Sequence, residues 1–132
     1  MRLVDGAAVT AWLDAYVKAW KTYSAEAIGA LFAEDAIYAN HPFDDPVTGR
    51  DAIVASWLEN RDPEGTYDAH YEPIAIEGDV AVANGRSLYF KDATRTELAR
   101  QWDNIFVIRF DRAGRCVSFR EWYIPPRAQG QS

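Results

Sequence analysis

Cysteine is almost missing from this chain. Only Cys116 stands among 132 residues, so no intrachain disulfide can staple the fold and a packed core must hold it. Its place among strand-forming residues suggests a buried, inert thiol rather than a nucleophile. Histidine is nearly as scarce: His41 and His70 are the whole complement, and no zinc-ligand spacing exists. No apolar run approaches the roughly 20 residues of a membrane span, and the N-terminus lacks the apolar segment of a signal peptide. Dense basic runs are absent too, because Arg95, Arg100, Arg109, Arg112, Arg115 and Arg120 alternate with acids. With a formal net charge of -6, nucleic acid is disfavoured as a partner, since its phosphates need a Lys/Arg surface. No Gly-rich phosphate loop and no nucleophile elbow occur. These absences predict a soluble cytoplasmic domain that needs no metal and no cofactor.

Aromatic residues are what the chain has in plenty: five Trp, seven Tyr and six Phe. A small core absorbs many rings only if their N–H and O–H groups find partners, and aromatic walls with a few polar groups are also the usual lining of a ligand cavity. The length suits one domain with a real core.

The periodicity predicts helices first and strands after. Val9, Trp12, Leu13, Tyr16, Val17 and Trp20 step by three and four and form one apolar stripe. Ser24 is placed to cap a second helix that carries Ile28, Leu31 and Phe32 inward. Thr48 and Asp51 have capping-box spacing for a third helix, which buries Ile53, Trp57 and Leu58 before Pro63 and Gly65 stop it. Beyond Gly65 the period turns to that of strands: Tyr67 to Ile76, a tight turn at Glu77-Gly78-Asp79, then Val80 to Phe90. After the polar loop Lys91 to Arg95 come Thr96 to Phe110 and Cys116 to Ile124. Ile105 to Ile108 is apolar on both faces, as in a central strand. The expectation is an α+β cone, a curved antiparallel sheet wrapped around three N-terminal helices and enclosing a pocket. Residues 1–126 form the domain and 127–132 a C-terminal tail.

Several local runs carry a resemblance to a known family. They are Tyr16, the stretch Ala27-Ile28 to Phe32-Ala33-Glu34-Asp35-Ala36, Pro42-Phe43, and Gly49-Arg50-Asp51-Ala52-Ile53. Arg109-Phe110-Asp111 with Gly114-Arg115, and Phe119-Arg120-Glu121-Trp122-Tyr123, complete the set. Together they resemble the nuclear transport factor 2-like superfamily, in its SnoaL-like and ketosteroid isomerase-like branch, from about Val9 to Ile124. The resemblance implies the cone fold and commonly a homodimer packed through the outer face of the sheet. It leaves function open, because that superfamily holds isomerases, cyclases, dehydratases, hydrolases and proteins with no chemistry.

The same resemblance puts Tyr16 where ketosteroid isomerases hold an oxyanion-donating tyrosine; the competing reading is a core Tyr on an amphipathic stripe. His41 falls at the isomerases' aspartate base, with Asn40 as the other match, and a solvated loop histidine is the competitor. Histidine can shuttle protons near neutral pH. The isomerases' second aspartate corresponds to Phe106. Glu121 matches an aspartate of limonene epoxide hydrolase-like members. Strand parity puts it with Phe119 and Tyr123, on the face the resemblance turns inward. A carboxylate between aromatic walls has a raised pKa and suits acid–base work. The alternative is an ion pair with Arg86 or Arg100. Trp102, Asn104 and Phe106 alternate onto one face of the long strand. Trp20, Tyr38, Phe43 and Trp57 complete the candidate ligand wall. The expected ligand is a small apolar or aromatic carbonyl compound. Cofactor-free isomerisation, cyclisation, dehydration or hydrolysis would use His41, Glu121 and Tyr16. A non-catalytic binding or assembly module is the other reading.

Overall fold

The computed structural model describes residues 4–127; most of the expected tail, 128–132, lies outside the described residues. Three helices and six strands follow one another as α1 (Gly6–Thr22), α2 (Ala25–Gly29), β1 (Phe32–Ala39), β2 (Val47–Thr48), α3 (Arg50–Glu59), β3 (Tyr67–Glu77), β4 (Val80–Phe90), β5 (Leu98–Phe110) and β6 (Cys116–Ile124). The change of period at Gly65 is therefore the boundary between the last helix and the main sheet.

Each helix has a local cause. The Asp5 side chain accepts from Ala8 N at 2.8 Å and starts α1, satisfying one of the N–H groups that a first turn leaves open. Tyr23 ends it in the left-handed region, φ 48°, with its N–H on Ala19 O. Ser24 caps α2 by accepting from Ala27 N. That helix is shorter than expected: the chain is already extended at Phe32, so Phe32 and Asp35 belong to β1. The Thr48–Asp51 capping box does not form. Thr48 is spent on β2, and α3 begins behind Gly49 at φ 94° with no side-chain cap, a conformation that glycine adopts without a Cβ penalty.

The sheet runs β2-β1-β6-β5-β4-β3. Pairs β3–β4, β4–β5 and β5–β6 are antiparallel, while β1 lies parallel to β6 with a register shift between Phe32 and Ile37. Central placement of β5 explains why Ile105 to Ile108 is apolar on both faces. The concave side holds the core. Val9, Leu13, Ile28, Phe32, Ile53, Ile108 and Phe119 are fully buried there. Trp12 Nε1 donates to Leu31 O at 3.0 Å and so ties α1 to the entry of β1. Among the described residues no helix is long and apolar enough to cross a membrane.

Candidate active site

The concave face of β4 is made of Ala81, Ala83, Gly85, Ser87 and Tyr89, small at one end and larger at the other. That gradient lets the curled sheet close over α1 at one end and stay open at the other. Gly85 has a specific reason. It pairs with Tyr71, and a Cβ built there would sit 2.0 Å from His70 O and 2.6 Å from the Tyr71 ring. Only glycine lets β3 and the Tyr71 side chain come this close.

A cavity of about 350 Å³ opens between α1, α3 and the sheet, near the lower end of the range for small-molecule sites. Its apolar wall is entirely ring-bearing. Tyr16, Tyr38 and Tyr71 lie deep, Trp20, Trp57 and Tyr89 stand along the sides, and Trp102, Tyr23 and Tyr123 complete the lining. No aliphatic side chain lines it among the described residues. Polar groups are Ser87 and Glu121, with Asn40, Ser56, Asn60, Asp62 and Arg100.

Two aromatic stacks set the positions of the deep hydroxyls. Tyr16 and Tyr38 both lie nearly flat on Phe119, at 5.5 and 4.8 Å between ring centres and 11° and 15° between planes. Their hydroxyls consequently meet at 3.1 Å. Trp57 packs its ring edgewise on Tyr16 at 5.0 Å. Its Nε1, sealed from solvent, meets no acceptor at hydrogen-bond geometry. The indole lies near enough to Tyr38 to ease the ionisation of that phenol a little. Burial dominates, however, and pushes Tyr16, Tyr38 and Tyr71 far above the ordinary tyrosine value. They are neutral phenols at any working pH.

Glu121 and Asp62 are the two acids of the lining. Burial raises the Glu121 carboxyl from 4.5 to about 7, partly offset by the hydrogen bond from Asn104. Asn104 Nδ2 donates to Glu121 Oε2 at 2.6 Å. Arg86 pairs instead with Asp103 at 3.2 Å, and Arg100 approaches Asp62 at 3.9 Å while stacking on Tyr89 at 4.2 Å. Neither expected arginine reaches Glu121. At the mouth, Asp62 accepts from Trp20 Nε1 at 3.1 Å and from Tyr23 at 3.4 Å.

The expected site residues thus sort by place. Tyr16, Trp20, Tyr38, Trp57, Trp102, Glu121 and Tyr123 come together around the cavity. Asn104, Phe106 and Phe119 are buried at 2%, 1% and 0% exposure, behind the lining, and support it. Phe43 is 92% exposed and does not line the cavity. His41 also lies outside it, in the loop after β1, with a half-exposed side chain 3.8 Å from Asp44. Of the two candidates for the isomerase base position, it is Asn40 that borders the opening. Sequence reasoning did not single out Tyr71, Ser87, Tyr89 or Asp62. The first three share the concave parity of their strands, which was the available clue, whereas Asp62 sits in a loop with no periodicity to reveal it. Among the described residues no three His, Cys, Asp or Glu side chains gather to hold a metal.

A family model described as SnoaL-like domain matches residues 13–119, and the chain belongs to that family. No curated protein matches it. Among solved structures it is similar to an NTF-2-like protein of unknown function from Burkholderia xenovorans LB400. That likeness has a TM-score of 0.68 at 17% identity and covers 94% of this chain and 89% of the other. It is also similar to a protein described as a "putative ketosteroid isomerase" from Kribbella flavida DSM 17836, with a TM-score of 0.69 at 16% identity, covering 97% and 84%. At such identities these likenesses speak for the fold alone.

Proposed function

We propose that this SnoaL-like protein binds a small aromatic or apolar carbonyl compound in its cone and moves a proton on it without a cofactor. One observation carries the reading: a carboxyl group in an aromatic-walled cavity with no cationic partner among the described residues, which burial pushes up to about 7. A general acid–base group works best when its pKa lies near the working pH. Tyr16 and Tyr38 supply neutral O–H groups in a dry setting, where a hydrogen bond to a developing enolate oxygen is worth far more than in water. Glu121 takes the base role that the sequence divided between it and His41. Isomerisation, cyclisation, dehydration and hydrolysis are all open to such a pair. The protein is expected to act in the cytoplasm as a homodimer.

The test is proton exchange. Aryl methyl ketones and β,γ-unsaturated ketones are incubated with the protein in deuterated water and followed by NMR. The expected result is catalysed deuterium uptake next to the carbonyl, rising as pH climbs through about 7, and lost in Glu121→Gln. Uptake that persists in that variant removes Glu121 as the base. A melting curve and ligand affinity both untouched by Glu121→Gln, with no exchange in the wild type, would favour the non-catalytic binding or assembly module.

A further inference from the structure

With Glu121 ionised, counting protons fixes the direction of the hydrogen bonds from Tyr71 to Glu121. Ser87 has one hydroxyl proton, and it goes to Asn104 Oδ1 at 2.9 Å. The contact of 2.6 Å between Ser87 Oγ and Tyr71 Oη must then be a donation from Tyr71. Tyr71 has no second proton, so toward the cavity its oxygen can only accept. One strand further on, Asn104 Nδ2 donates to Glu121 Oε2, and Glu121 Oε1 takes no hydrogen bond among the described residues. The chain Tyr71, Ser87, Asn104, Glu121 crosses β3, β4, β5 and β6 in turn, and with Glu121 ionised it presents acceptors at both ends.

The Tyr16–Tyr38 pair has the reverse character. Tyr16 and Tyr38 bring two hydroxyl protons and share one hydrogen bond of 3.1 Å. One O–H proton is therefore left over, and no acceptor for it exists among the described residues. The cavity carries a donor edge on α1 and β1 and an acceptor edge on β3 and β6.

We propose that the ligand is a hydroxyl-bearing carbonyl compound, whose carbonyl oxygen meets the Tyr16–Tyr38 pair and whose hydroxyl donates to Tyr71. This rests on the carbonyl-binding reading above and specifies the second group. Ser87 is the residue that sets the specificity, because it consumes the Tyr71 proton. Around Glu121, Tyr16 on α1, Tyr38 on β1, Tyr71 on β3 and Tyr89 on β4 feel its charge and are neutral phenols; the charged residues lining the same cavity, Asp62 and Arg100, approach each other at 3.9 Å.

Calorimetry at pH 8.5, where Glu121 is a carboxylate, tests the pattern. The probes are 3- and 4-(hydroxymethyl)acetophenone, their methyl ethers, and 4-ethylbenzyl alcohol, which lacks the carbonyl. At least one hydroxymethyl ketone should bind about 10-fold tighter than its ether, and the 4-isomer about 10-fold tighter than 4-ethylbenzyl alcohol, the scale expected when a buried polar group is left unpaired. Ser87→Ala frees the Tyr71 proton to donate outward, so the ether should gain affinity and the preference should collapse. Tyr71→Phe, which keeps the cavity's shape, should also erase the preference but without any gain for the ether. Ethers that match the alcohols in the wild type, or an unchanged ratio in both variants, overturn the proposal and leave carbonyl binding standing. Failure of all five probes to bind overturns both.

Discussion

A carboxyl group in a cavity wall stabilises or destabilises the fold according to pH, and Glu121 makes the sign definite. Its pKa rises from 4.5 to about 7 on folding, so the unfolded chain ionises first. Below about 4.5 both states are protonated and no penalty exists. Between about 4.5 and about 7 the unfolded chain gives up this proton while the folded carboxyl keeps it, so stability falls by an amount on the order of 3 kcal/mol and levels off above 7. Melting temperatures of the wild type should therefore drop between pH 5 and pH 8 more than those of Glu121→Gln, with the variant the more stable at pH 8. Equal slopes would show that Glu121 is solvated. Strand parity set Phe119, Glu121 and Tyr123 on one face against Arg120 and Trp122, and the family resemblance said which face turns inward. His41 and Phe43 were not legible in this way. They lie on a loop, where no period says which way a side chain turns, and the family likeness supplied a position without a direction.

Among the elements, β3 and β4 shape the site most. Gly85 allows Tyr71 to lie across β4, and Gly85→Ala would drive a Cβ into the His70 carbonyl and the Tyr71 ring. Backbone has to move, so the cost should exceed the roughly 1–3 kcal/mol usual for overpacking, and affinity for any cavity ligand should fall with it. Denaturant melts and probe calorimetry check both effects; a fully stable Gly85→Ala with normal binding would mean that the two strands have slack. The step from α3 to the antiparallel strands was legible because hydrophobic spacing changes abruptly at Gly65. Two details were not. A two-residue strand such as β2 has no period, and it takes Thr48 away from the cap that its spacing suggests. The parallel pairing of β1 with β6 joins segments far apart in the chain, which local spacing cannot encode.

At the scale of the whole molecule, the convex face of the sheet is what still wants cover. Ile74 and Ile124 are 62% and 67% exposed, Ile105 and Val107 are only half-buried, and Arg120 lies over the Trp122 ring at 4.7 Å. A homodimer through this face is expected, and light scattering at micromolar concentration should give twice 14.9 kDa; a monomer would count against it. The strand order has a further consequence, for the timing of folding. β6, the last strand of the sheet in sequence, lies between β1 and β5, so the first strand acquires its parallel neighbour only when the last has arrived. Contacts of such long sequence separation make for slow closure. Until then the rings of α1 and β1 have no lid. A chain cut after Phe110 should stay an open hairpin stack with exposed aromatics, detectable as dye binding and rapid proteolysis, whereas a protected, cooperatively melting fragment would show that the helices and β3–β5 close without it. The strand that brings the acid is also the one that locks the two halves together, so the site cannot exist in a half-folded chain.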